Sequence, residues 1–354
     1  MKNHNNRISF IIPNISQPRF SKRISEYRNN NKITLFYFKR KNYNTLNEIP
    51  DSDFSYDLGC IENSKIYKRL FKLFKLFILL LRNKEKSQIF YAFGLDLLLI
   101  TVLAKKNNKI WYELGDIRSF KNKYLELIFK IIYKKFLFKR VDLISVTSPG
   151  FKRFLVNEYN IPSKKIILKE NLLNRTDFPN SKITVKKLPK IFTVGIVGFF
   201  RYKSILSFLR EYLKTENNKF NICLYGQGPL EEEIKNIILN TNIKYYGEYK
   251  YPLDLYHIYN KIHFSYVLYD NFDLNVKLAL PNKIYESIFF KTPILVSKNT
   301  ELCNKVSNEF KIGKCFNPDN QNELIKYLNN ENLIHDFNKF SNNFQKISKN
   351  KYLL

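Results

Sequence analysis

In the stretch Leu280-Pro281-Asn282-Lys283-Ile284-Tyr285-Glu286, proline and asparagine open a helix-forming run, and Lys283 and Glu286 fall three residues apart on one helical face. A carboxylate in the first turn of such a helix can accept two hydrogen bonds from a vicinal diol, and the ammonium beside it can meet a phosphate. The same two residues also read as a surface ion pair of little energetic consequence. A second cluster, Gly198-Phe199-Phe200-Arg201-Tyr202-Lys203, follows an apolar run. Glycine at a strand end, then two cations before a helix starts, suits a diphosphate, or else a turn with solvated cations. A third, Gly226-Gln227-Gly228-Pro229 ahead of Glu231, Glu232 and Glu233, suits a tight strand-to-helix turn, with proline and acids where a helix start favours them. Glu113 and Asp116 close a further apolar run and could orient or deprotonate a hydroxyl. Asp116 alternatively caps the turn or pairs with Arg118.

These residues need strand ends and helix starts to hold them. Short apolar runs alternate with helix-period stretches along most of the 354 residues, as βαβ units around parallel sheets do. Strands are expected near 8–12, 33–38, 89–92, 109–113, 143–147 and 166–169, then near 192–197, 221–225, 244–246, 264–268 and 293–297. The polar segment 177–190, with two prolines, reads as a linker. The expected fold class is α/β, with two Rossmann-like doubly wound domains facing each other across a cleft. Residues 1–180 form the first domain, 181–190 the linker, 191–335 the second domain, and 336–354 a terminal helix or tail packing back on the first. Ligands of such sheets bind beyond the carboxyl ends of the strands.

Composition narrows the partners. Sixty Lys and Arg against 31 Asp and Glu leave a net charge of +29. The excess is lopsided: residues 1–190 hold 39 basic and 15 acidic residues, a net +24, against +5 for the remainder. An anionic partner should therefore face the first half. Cys60, Cys223, Cys303 and Cys315 show no CxxC spacing, which argues against zinc and against a disulfide framework and favours a reduced, cytoplasmic setting. No apolar run reaches the length of a membrane span, and the N-terminal stretch is too weakly apolar for a signal peptide. His257 and His263 fit packing positions better than chemistry.

The segment LPNKIYESIFFKTPILVS resembles the C-terminal donor-binding signature of family 4 retaining glycosyltransferases, the class with the GT-B fold, in its PNK-x-x-E variant. VGFFRYKS, LYGQGPLEEEI and the passage YYGEYKYPLDLYHIYNKIHFSYVLYD are similar to that class in order and placement. The likeness is strongest over residues 191–300. It implies that Arg201 and Lys203 clamp a donor diphosphate and stabilise the departing nucleotide. Glu286 would hold the ribose hydroxyls, Asn282 and Lys283 would line the sugar or phosphate pocket, and Gly198, Gly226 and Gly228 would sit at the strand ends beside it. The commoner motif has a glutamate eight residues before Glu286, where Leu278 stands, so the donor-sugar contact passes to Asp273 or Asn275. The implied reaction is retaining transfer from a UDP- or GDP-sugar with no metal and no other cofactor.

In the first domain, Arg19, Lys22 and Arg23 could meet an acceptor phosphate. The helix 64–82 carries Lys65, Lys68, Arg69, Lys72 and Lys75 as a basic stripe, with Ile66, Leu70, Leu73, Phe74 and Phe77 on the opposing face. The helix 122–140 repeats the theme with Lys123, Lys130, Lys134 and Lys139. The apolar faces are expected to cover the sheet and the basic faces to meet an anionic inner-membrane surface, which would suit a lipid-linked saccharide acceptor in bacterial polysaccharide synthesis. Two alternatives stay open: a nucleotide-sugar epimerase of the same fold, and a basic nucleic-acid binder, although no nucleic-acid motif is present and no nucleic-acid partner is expected.

Overall fold

The structure is a computed structural model that describes residues 6–39, 49–61, 66–84, 86–117, 122–173, 177–178, 183 and 186–347. Lys65, Arg118, much of the expected linker and residues 348–354 lie outside the described residues, as do the side chains of Ile66, Lys68 and Lys123. The chain divides into two units, Met1–Glu170 and Asn171–Leu354.

The first unit runs β1 (Asn6–Ile12), α1 (Pro18–Arg28), β2 (Asn31–Lys39), β3 (Phe54–Cys60) and α2 (Ile66–Asn83). It continues with β4 (Ile89–Phe93), α3 (Leu95–Ala104), β5 (Lys109–Leu114) and α4 (Lys123–Ile132), which passes through a π-helical turn, Tyr133–Leu137, into α5 (Phe138–Arg140). β6 (Leu143–Val146), α6 (Pro149–Tyr159) and β7 (Ile166–Leu168) complete it. The sheet is parallel in the order β3-β2-β1-β4-β5-β6-β7. The central strands are apolar runs because helices cover both faces of such a sheet: Phe10, Ile11, Ile12, Phe90, Tyr91 and Ala92 are fully buried.

The second unit holds β8 (Phe192–Phe199), α7 (Lys203–Lys214), β9 (Phe220–Gln227), α8 (Glu231–Ile238), β10 (Lys244–Tyr245) and α9 (Leu255–Lys261). Then come β11 (Phe264–Val267), α10 (Leu274–Leu278), α11 (Asn282–Phe289), β12 (Ile294–Ser297) and α12 (Glu301–Cys303). β13 (Gly313–Phe316), α13 (Gln321–Leu328) and α14 (Leu333–Lys346) end the unit. Its sheet is parallel in the order β10-β9-β8-β11-β12-β13. Leu173 and Phe178, ahead of the expected linker, are buried in this unit's core, as are Phe337, Phe340 and Phe344 of α14.

Two strands that patterning overlooks, β3 and β13, are edge strands. Leu58 is the one buried hydrophobic of β3, so neither forms the apolar run that marks a central strand. The cysteine expectation is corrected: Cys303 and Cys315 form a disulfide between α12 and β13, while Cys60 and Cys223 are free. Their pairing follows from the return of the chain onto β13 beside β12, which spacing alone does not reveal.

The facing of α2 also departs from expectation. Arg69 turns inward to pair with Asp96 of α3, and Lys72 donates to the Cys60 carbonyl. Leu76 and Leu80 are buried on that side, leaving Leu70, Phe71 and Phe74 exposed. The helix carries apolar residues around most of its circumference, so the polar partners decide which side faces the sheet.

His263, between α9 and β11, accepts a hydrogen bond at Nδ1 from the Thr193 amide (3.0 Å), a contact that requires the unprotonated nitrogen. Burial, with the Lys186 charge adding to it, pushes His263 down to about 4. Because the unfolded chain takes up this proton first, the stabilisation is whole above pH 6.5 and is lost as pH falls toward 4. Urea unfolding should show wild type losing more stability than His263→Gln across that window; parallel pH profiles would refute the assignment.

Candidate functional site

At the carboxyl ends of β8 and β9 the two strands place Gly198 directly opposite Gly226. Both have left-handed φ values, +127° and +141°, and a Cβ on Gly226 would overlap the Gly198 carbonyl. A Cβ on Gly198 would meet Cε of Lys283 at 3.4 Å, so bare backbone and the lysine stem are neighbours here. Gly228 lies against the backbone of Phe200 and helps turn the chain into α8.

Lys283 and Glu286 are both buried, Glu286 to 1% exposure. Glu286 Oε2 accepts from Lys283 Nζ at 2.6 Å and from the Tyr259 hydroxyl at 2.8 Å. Burial alone would lower the Lys283 pKa, but the Glu286 charge and the neighbouring Tyr249 and Tyr259 phenols hold it well above the ordinary lysine value. The Tyr259 phenol is itself pushed up, by burial first and then by Glu286. The surface pair considered from sequence is thus an interior one, and Glu286 is not the open carboxylate that a ribose contact needs. Both of these hydrogen bonds fall on Oε2.

Arg201 and Lys203 follow β8. The exposed Arg201 guanidinium donates to the Tyr202 hydroxyl at 2.5 Å and lies over that ring, and Tyr202 stacks on Tyr269 with centroids 4.2 Å apart. The half-buried Tyr269 phenol is pushed up mainly by desolvation, and its stack on Tyr202 ties the Arg201 loop to the end of β11. The helix-start amides assigned from sequence to a diphosphate, those of Lys203 and Ser204, each donate to Asp270 at 2.9 Å. That helix start already holds a carboxylate, so an anion on this side relies on side-chain cations. α11 has no side-chain cap at Pro281, and Asn282 is exposed at its first position. Asp273 caps α10 by accepting from the Asn275 amide at 2.8 Å. Asp270, Tyr269 and Tyr259 were missed from sequence; the position of Asp270 just beyond an expected strand end was the available signal.

In the first unit, Glu113 is 2% exposed at the end of β5. Its Oε2 accepts from Arg23 Nε at 2.7 Å and from the Tyr91 hydroxyl at 2.8 Å. Burial would lower the Arg23 pKa, but Glu113 and its other anionic neighbours raise it, so Arg23 serves this interior pair rather than an external phosphate. Asn14, Arg19, Arg69, Asp96, Glu113 and Asp116 line a cavity of about 200 Å³ at the ends of β1, β4 and β5. Asn14 Nδ2, Arg19 Nε and Glu113 Oε1 are buried there without a hydrogen-bond partner among the described residues. Unpaired buried donors and acceptors are costly, and these three belong to residues that line this cavity. Asp116 is exposed beside it. Among the described residues no group of three or more His, Cys, Asp and Glu could hold a metal ion.

No family model matches the chain. Its topology is nevertheless similar to that of HepE from Anabaena in complex with UDP-glucose, at TM-score 0.70 and 15% identity over 98% of this chain and 95% of that one. The chain has the GT-B fold. A UDP-N-acetylglucosamine 2-epimerase shares that fold less closely, at TM-score 0.57 and 14% identity over 96% of this chain and 90% of the other. In sequence, the succinoglycan biosynthesis protein ExoL of Rhizobium meliloti is 28% identical over 119 residues, 32% of this chain and 29% of that protein. The chain therefore spans under a third of ExoL.

The Lys283–Glu286 pair can be tested by itself. Lys283→Met should destabilise the protein by about 3–5 kcal/mol by stranding a buried carboxylate, and Lys283→Met with Glu286→Leu should recover much of that loss. Additive losses in denaturant unfolding would show that the two side chains do not act as a pair.

Proposed function

We propose that the chain is a glycosyltransferase that moves a sugar from a nucleotide-sugar donor, a UDP- or GDP-sugar, to a lipid-linked saccharide at an anionic membrane surface, in surface polysaccharide assembly. The observation that carries this reading is the buried Lys283–Glu286 pair beside the bare strand ends at Gly198 and Gly226, with the exposed Arg201 two residues beyond β8. The local likeness to ExoL and the fold shared with a UDP-glucose complex of HepE support it.

In this reading the donor phosphates draw the Lys283 ammonium off Glu286, and the freed carboxylate accepts the ribose hydroxyls. Arg201 and Lys203 stabilise the charge that grows on the departing phosphate, in place of a divalent cation. Transfer retains the anomeric configuration and uses no further cofactor. Asn282, at the uncapped start of α11, meets a phosphate or the sugar, and Asp273 and Asn275 supply the sugar contact absent at Leu278.

The acceptor occupies the first unit's cavity, where its hydroxyls satisfy Asn14 Nδ2, Arg19 Nε and Glu113 Oε1. Glu113, neutralised by Arg23, orients the acceptor, and the exposed Asp116 takes the hydroxyl proton.

The test is nucleotide release from a panel of UDP- and GDP-sugars with a lipid-extract acceptor. Arg201→Ala should lower kcat about 10²–10³-fold, and Glu286→Gln should raise the donor KM about tenfold. Unchanged turnover in both variants would remove the assigned roles. Epimerised donor formed without acceptor would establish the epimerase instead, a reading the weaker structural likeness disfavours.

A further inference from the structure

The apolar side chains that α2 and α4 leave uncovered form a second surface of the first unit. Phe71 is 72% exposed and Phe74 61%, with Leu70 beside them; on α4, Tyr124 is 80% exposed and Leu127 57%, with Ile128 and Ile131 also on the surface. Successive right-handed crossovers from β3 to β6 put α2, α3 and α4 on one face of the sheet. Consistent with that, α2 packs on α3, and α3 meets the π-helical turn that continues α4. Helices of a parallel sheet start at the carboxyl ends of the strands, so the first turns of α2 and α4 lie at the same end as the polar cavity. Arg69, which lines that cavity, directly precedes Leu70 and Phe71.

The charge around this surface is mostly positive. α2 contains no acidic residue, and between Lys123 and Arg140 Glu126 is the only acid among Lys130, Lys134, Lys135, Lys139 and Arg140. The unit as a whole holds 34 basic and 14 acidic residues, a net +20. No helix of the described residues is long and apolar enough to cross a bilayer. Exposed aromatic and aliphatic side chains bordered by cations, on helices that cannot span, match the depth profile of an anionic lipid interface: apolar groups below the headgroups, cations among the phosphates.

We propose that the N-terminal halves of α2 and α4 insert Leu70, Phe71, Phe74, Tyr124, Leu127 and Ile128 into the headgroup boundary of an anionic membrane, and that this contact, more than a basic face lying on the lipid, anchors the protein. The purpose rests on the reading of a lipid-carried acceptor, because insertion at this end brings the cavity to the depth at which a lipid phosphate and its first sugars emerge. The chemistry rests on the exposed side chains alone.

Flotation of the full chain with phosphatidylglycerol-containing vesicles tests it. Wild type should float, and much less with pure phosphatidylcholine. Phe71→Ser with Phe74→Ser, and separately Leu127→Ser with Ile128→Ser, should weaken partitioning at least about tenfold, while high salt removes only part of the binding. In the wild type, hydrogen exchange of segments 66–74 and 124–132 should slow on the vesicles, a readout that needs no variant to fold. Undiminished flotation of both double variants, complete loss of wild-type binding in salt, unchanged exchange, or a concentration-dependent dimer that the variants abolish would each overturn the proposal. Nucleotide release toward a soluble saccharide should be equal in wild type and variants. If that activity is absent while wild-type insertion persists, the transferase reading fails and the membrane surface stands.

Discussion

Burying the Lys283 ammonium with the Glu286 carboxylate at the start of α11 costs on the order of several kcal/mol for each ion, and the rest of the second unit's site is arranged around meeting that cost. The Lys283 stem lies beside Gly198, and Gly198 lies opposite Gly226, where a Cβ would overlap the Gly198 carbonyl. Tyr259 donates the second hydrogen bond. A charged pair held in a dry interior is strongly coupled to any third charge that enters, so an arriving phosphate competes for the lysine directly.

The first unit repeats the device with different residues. Arg23 from α1, Tyr91 from β4 and Glu113 from β5 converge on one carboxylate oxygen, and the other oxygen is left facing a polar cavity without a partner. In both units a buried carboxylate is paired with a cation on one of its oxygens. In the first the second carboxylate oxygen, Glu113 Oε1, is left without a hydrogen-bond partner among the described residues.

Much of this was legible along the chain. Apolar runs separated by helical periods announced two parallel sheets, since strands covered on both faces have no polar side to show. Gly198, Arg201, Lys283 and Glu286 were picked out because glycines, cations and a helix-start acid at strand ends are local features. Edge strands β3 and β13 escaped because a half-exposed strand has no apolar signature, and the Cys303–Cys315 pair escaped because it depends on where β13 docks.

By itself the sequence determined the fold class, the charge asymmetry and the residue types available at each strand end, because these follow from local pattern and composition. Which side of a residue faces what was decided only in three dimensions. Asp270 takes the helix-start amides of α7, Lys283 closes over Glu286, and Arg69 and Lys72 turn α2 so that Phe71 and Phe74 look outward. The Asp270, Arg69 and Lys72 contacts join groups far apart in the chain, and the spacing of Lys283 and Glu286 marks a pair without telling that it is buried; the energy that settles all of them is the desolvation of a charge, which no local spacing encodes.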